Sequence, residues 1–203
     1  MRTILTIGAM AAMAVIWLST EASIGAEGNP PKPKLAVLEF SSKTDNQWWH
    51  HGGAASAQDE FVNDIRRSGK FDVLSRETLE SLMMERDLSI SGDIDPKTAV
   101  KIGKILGVNY VLIGAVTEFG ISGKSTRSSL SAGTRKFAAA LSARLVDVST
   151  GKIVWTDKAR NEVESKKVSV FGVGSGAEDS KMFDMAMKPC IRQMTAGLES
   201  ARF

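Results

Sequence analysis

The residues of this chain that could do chemistry are few, and their spacing serves no reaction well. His50 and His51 are adjacent, so on an extended segment their side chains point to opposite sides. No acid or cysteine stands at metal-ligand spacing from them, and a metal site is not expected. Gly172, Gly174 and Gly176 give a glycine-rich run without the strand–turn–helix setting of a phosphate loop, so they read as a hairpin tip. Asp147 and Asp157 offer the two carboxylates of a glycan hydrolase, but nothing places a third group beside them. Cys190, the single cysteine, cannot form an intramolecular disulfide. It is either a buried small apolar group or a route to a dimer, and burial is the expectation. No enzyme activity, cofactor or metal is expected, so function falls to surfaces and partners.

Two kinds of surface stand out. Trp48 and Trp49 sit in a polar stretch, and exposed indoles are favoured at binding hot spots. A partner or membrane contact competes there with core packing or loop anchoring. The segments Gly120 to Arg135 and Glu164 to Asp179 are the second kind. Lys124, Arg127 and Arg135 stand in the first; Lys166, Lys167, Val168, Val170 and Phe171 stand in the second. These ten residues form the candidate interface. The bases read most simply as a solvated, positive hairpin face.

The N-terminus reads as an address. Arg2 is followed by the uncharged apolar run Ile4 to Leu18, then by the small residues Ser23, Gly25 and Ala26. That is the pattern of a secretory signal peptide, placed at residues 1–26. The apolar run is shorter than the roughly 20 residues of a spanning helix. No cysteine near the cleavage site offers a lipobox. Residues 27–34, with Pro30, Pro31 and Pro33, form an extended linker, and residues 35–203 form one domain. The net charge of +3 is unchanged by removing Arg2 and Glu21. It is too weak to argue for nucleic-acid binding.

The elements that must carry these surfaces are well punctuated. "LAVLEF", Leu35 to Phe40, reads as a central strand, with polar loop from Ser41 to Gly53. A helix from about Ala54 to Ser68 shows the stripe Ala57, Phe61, Ile65, ended by Gly69. Phe71 to Leu74 is the second strand. Ser75 caps a helix with the stripe Leu79, Leu82, Met83. Asp95-Pro96 opens the next helix, which Gly107 closes. Val108 to Val116 is nearly all apolar, as in a strand covered on both faces. Phe137 to Val148 and a return strand with Ile153 and Trp155 flank a turn at Gly151. A last helix runs from Asp179 to about Ala201, with Pro189 expected to kink or split it. The order implies a compact α/β sandwich: a mixed β-sheet flanked by helices, with two β-hairpin insertions.

Four of these pieces, in this order, resemble the CsgG family of bacterial envelope proteins. They are "LAVLEF", "GKFDVLSRETLESLMMER", "SGDIDPKTAVKIGKILGVNYVLIGAVTEFG" and "ARLVDVSTGKIVWT". The resemblance runs from about Lys34 to Leu198. The resemblance implies a non-enzymatic periplasmic protein, associated with the outer membrane, that acts in assembly or curli-like export. LpoB-like activators share the fold. They imply the alternative of a periplasmic regulator docked on a peptidoglycan synthase. The implied partners are further copies of the chain, exported subunits or a cell-wall synthase, with peripheral contact to the outer membrane and no nucleic acid.

Channel members of the family build a barrel from two hairpins per subunit. A barrel strand needs about 9–11 residues with every second side chain apolar. "GISGKSTRSSLSAGTR" has no such alternation, and an Arg facing mid-bilayer costs about 2–4 kcal/mol. The two segments are therefore expected to form extended, solvent-exposed arms.

Overall fold

The computed structural model describes residues 31–44, 52–88, 94–122, 135–165 and 180–202. The signal peptide, the first half of the linker (residues 27–30), and the Trp48–Trp49 loop lie outside them. The architecture is that of the unit Lys32–Phe203.

Six strands form one mixed sheet: β1 (Lys34–Val37), β2 (Ser41–Ser42), β3 (Asp72–Val73), β4 (Tyr110–Ser122), β5 (Arg135–Asp147) and β6 (Ile153–Ser165). The order is β3-β1-β4-β5-β6, with β2 also on β4. Pairing is parallel through β1, β2 and β3 and antiparallel from β4 to β6. The expected strand Leu35 to Phe40 is thus two short ones. The chain leaves β4 after Val37 and rejoins it at Ser41, within what reads from sequence as loop. Gln58, buried on a helix, donates its side-chain amide to the Val37 carbonyl at 2.7 Å, where β1 stops. An unpaired buried carbonyl would be costly there.

Helices cover both faces. On one face lie α1 (Ala54–Ser68) and the last helix α4 (Lys188–Ser200). Their buried residues Phe61, Ile65, Ile191, Met194 and Leu198 meet Leu112, Val116, Leu141 and Leu145 of the sheet. On the other face, α2 (Arg76–Glu85) and α3 (Pro96–Leu106) bury Leu79, Ala99 and Ile102 against Ala36, Leu38, Val111, Ile113 and Val146. Val111 and Leu112 thus serve opposite cores, which is why β4 reads as apolar without alternation. α2 buries less than its stripe implies: Leu79 is buried, whereas Leu82 and Met83 are half-buried.

The expected punctuation is in place. Ser75 Oγ accepts from the Thr78 N–H at 3.1 Å, and Asp95 Oδ1 from the Thr98 N–H at 2.8 Å. The Thr98 N–H holds the Asp95 carboxyl below its ordinary range. Gly69 (φ 70°) and Gly107 (φ 67°) end their helices in the left-handed region that suits glycine. At the β5–β6 turn, Asp147 Oδ1 accepts from the Ser149 hydroxyl and from the Ser149 and Thr150 N–H groups. The Ser149 hydroxyl is the first cause that lowers its pKa.

The helix break expected at Pro189 comes earlier and is better satisfied. Phe183–Met187 forms a π turn in which the Lys188 N–H reaches the Phe183 carbonyl. Pro189 lacks the N–H that an α-helix would direct to the Met185 carbonyl. Asn161 of β6 donates its amide to that carbonyl at 3.2 Å. We therefore expect Asn161→Ala to cost about 1–2 kcal/mol. Pro189→Ala, which restores the backbone donor, should recover most of that loss in the double variant. A purely additive double-mutant cycle in chemical denaturation would rule this account out.

Candidate functional site

β4, β5 and β6 are each 13 residues long and run beyond the helix layers toward one end of the sheet. Gly120–Ser122 belong to β4, Arg135 opens β5, and Glu164 and Ser165 close β6. The two insertions are therefore shorter than the sequence reading placed them. Residues 123–134 and 166–179 both depart from this end. The backbone gives the physical reason. Neighbouring strands continue the hydrogen-bond ladder to Ser122–Lys136 and Arg135–Ser165, and pairing needs no particular side chain.

A single extra residue decides which side chains face out along this extension. Register passes from Val116–Leu141 to Glu118–Ala140, leaving Thr117 as a bulge. A bulge shifts the side-chain phase by one. Val116 and Phe119 thus point into the same core, and Glu118 turns to the opposite face. Without the bulge Glu118 would enter the core. Thr117 donates its hydroxyl to the Ala140 carbonyl at 3.3 Å.

On the side shared with α4, Phe119 and Phe137 meet edge to face with centroids 5.0 Å apart. The other side is a charged ladder across three strands. Glu118, Ala140 and Arg160 lie in one row. Arg160 Nε donates to Glu118 Oε2 at 2.8 Å and its Nη2 to Glu118 Oε1 at 3.3 Å. This ion pair crosses the central strand because Ala140 is small enough to pass beneath it. Arg160 Nη2 also donates to Glu162 at 3.0 Å, and Lys136 reaches Glu162 at 3.1 Å and Glu164 at 3.6 Å. Glu118 first and then Glu162 hold the Arg160 guanidinium firmly protonated.

Nearer the middle of the sheet this face dips into a pocket of about 230 Å³ beside the start of α3. Gly114, Ala115 and Ser142 are among its lining, with Lys43, Arg144 and Asp95. That volume is below the usual range of about 300–1,000 Å³ for small-ligand sites. It suits a side chain rather than a cofactor.

Of the ten candidate interface residues, Trp48, Trp49, Lys124, Arg127, Lys166, Lys167, Val168, Val170 and Phe171 lie outside the described residues. Arg135 is placed by its backbone, paired with Ser165 at the sheet end. His50, His51 and the Gly172–Gly176 run also lie outside. Asp147 and Asp157 are not brought together. Asp157 pairs with Ala143, four residues up β5 from Asp147, or about 13 Å along the strand. Cys190 is buried, as expected, and burial pushes its thiol up to about 11. It stays a packed thiol rather than a nucleophile. Sequence reasoning missed Glu118, Arg144, Lys158, Arg160 and Asn161. The alternation of charge in "TDKARNEVES" was the available signal for β6. Among the described residues no helix is long and apolar enough to cross a membrane.

The family model described as "Curli production assembly/transport component CsgG" matches residues 19–200. The chain belongs to the CsgG family. Among solved structures, the hypothetical protein CT253 from Chlamydia trachomatis is 13% identical, with 84% of this chain and 97% of that chain covered at a TM-score of 0.52. The PelC dodecamer from Paraburkholderia phytofirmans is 19% identical over 85% and 90%, at 0.47. The LpoB C-terminal domain from Escherichia coli is 25% identical over 68% and 87%, at 0.43. The likeness to CT253 is one of fold. No curated protein sequence matches the chain. The CsgG-family domain here is a mixed sheet of six strands flanked by helices, as the sequence implied.

Proposed function

We propose that this CsgG-family protein is a non-enzymatic component of outer-membrane assembly or export, working in the periplasm through protein contacts. The observation that carries the reading is the family match across residues 19–200. The geometry supports it. Asp95 and Asp147 serve a cap and a turn, Glu118, Glu162 and Glu164 serve ion pairs, and the long strands deliver both insertions to one end of the sheet. A ring of subunits or a partner envelope protein is the natural user of such an end.

The first insertion favours a second reading, a soluble docking module of the kind that regulates a cell-wall synthase. Its bases and its lack of period-2 apolarity suit a contact arm better than a lipid-facing strand. One experiment separates the two. Purified mature protein is expected to stay in solution without detergent and to leave planar bilayers non-conducting. Reproducible single-channel steps would overturn the docking module and establish a pore. In the cell, a deletion strain is expected to lose material at its surface if the chain serves export. Loss of peptidoglycan cross-linking with the surface unchanged would favour the regulator. A deletion that alters neither would remove the functional reading.

A further inference from the structure

The half of the sheet face that α2 and α3 leave open carries its charge unevenly. Their core on this face extends to Ile113 on β4 and Val146 on β5. Beyond it, register stacks the open face into rows. Ile113, Arg144 and Thr156 form the first, Ala115, Ser142 and Lys158 the second, and Glu118, Ala140 and Arg160 the third. From the third row outward the charges neutralise one another in the ladder described above. In the first two they do not. Arg144 and Lys158 are exposed, and among the described residues neither has an ion-pair partner. They lie diagonally across neighbouring strands, with Cα atoms about 7–8 Å apart. Arg144 lines the pocket of about 230 Å³, together with Gly114, Ala115, Ser142 and Lys43. The one carboxylate lining it, Asp95, is turned to the start of α3 and accepts the Thr98 N–H.

We propose that this pocket docks an acidic segment of a partner protein. One carboxylate side chain enters over Gly114 and Ser142, and Arg144 and Lys158 receive it and its neighbour. The chemistry selects this occupant. A guanidinium and an ammonium over small residues and a hydroxyl complement a carboxylate, and charge-assisted contacts of this kind are the stronger hydrogen bonds. A nucleic acid or another long polyanion would continue along the sheet onto the third row and beyond, where Arg160 and Lys136 are already engaged by Glu118, Glu162 and Glu164 and reward it little. A bilayer surface is too flat to fill a pocket this size. The β4 and β5 backbone beside the pocket is already paired within the sheet, so recognition there rests on side chains. The inference builds on the reading of the chain as a protein that works through partners, and adds where one of them sits.

The test is fluorescence anisotropy of a fluorescein-labelled oligoglutamate peptide titrated with the mature chain at about 0.1 M salt. Arg144→Glu and Lys158→Glu are each expected to weaken binding about tenfold or more. Lys101→Glu, the same charge change on the exposed side of α3, should leave it within about twofold. Arg144→Lys should retain most of the affinity, which separates loss of charge from loss of fold. Equal weakening in all three reversals would mean net charge alone, and would overturn the site. So would absence of peptide binding. Vesicles containing phosphatidylglycerol that bind wild type and lose binding in the same two variants, with the peptide inert, would make a membrane the occupant. Deletion phenotypes are read independently. Peptide failure with the phenotype intact removes the docking site, whereas peptide binding without a phenotype removes the functional reading.

Discussion

Phe61→Ala is expected to cost about 3–5 kcal/mol, the usual range for emptying a buried aromatic position. Phe61 is 1% exposed and sits mid-way along α1. It stacks on Phe40 at 4.7 Å between centroids, with the rings 13° from parallel. Phe40 is the last residue before β2, so this pair fastens α1 to the break between β1 and β2. Removing the ring leaves a cavity between layers held by backbone pairing above and α4 beside it, and such a site collapses poorly. A whole domain is stable by only about 5–15 kcal/mol. At about 2–4 °C per kcal/mol for this size, the melting temperature should fall by roughly 6–20 °C. A fall of less than about 3 °C would mean that the Phe40–Phe61 stack does not hold α1 in place.

Gly114→Ala is expected to cost about 3 kcal/mol, at the upper end of ordinary overpacking. A Cβ there would stand 2.1 Å and 2.5 Å from the Phe40 ring and 2.7 Å from the Ser142 carbonyl oxygen. Neither neighbour gives way easily. Phe61 pins the ring, and the carbonyl belongs to the β5 backbone. Gly114 is required by this close approach, not by an unusual dihedral angle. Phe40→Leu in the Gly114→Ala background should recover only part of the loss, because the carbonyl contact persists. Full recovery in thermal melts would locate all of the strain in the ring. No loss in the single variant would contradict the packing of Phe40 over β4. Gly197 makes the contrast. A Cβ there meets the flexible Asp157 carboxylate at 3.3 Å, and alanine is worth about 1 kcal/mol more than glycine inside a helix.

Much of the local structure was legible because it depends on few neighbours. Helix starts at Ser75 and Asp95-Pro96, helix ends at Gly69 and Gly107, and the turn before β6 each follow from one or two residues that satisfy or free a backbone group. The apolar run of β4 announced a strand buried on both faces. Family membership was legible from four motifs in order. The candidate interface was legible as composition only, a set of bases and aromatics between elements, and nine of its ten residues fall outside the described structure.

What the sequence by itself determined is therefore the α/β class, the order of elements and most of their caps. The tertiary structure decided the rest through contacts between residues far apart in the chain. Thr117 bulges because β5 pairs on both sides of it, and that one shift sends Glu118 outward to Arg160, 42 residues away. The Met185 carbonyl can lose its helical donor at Pro189 because Asn161 of β6 supplies another. Arg144 and Lys158 belong to separate strands with nothing in sequence to join them. Strand pairing sets them side by side, and among the described residues no helix covers that part of the sheet.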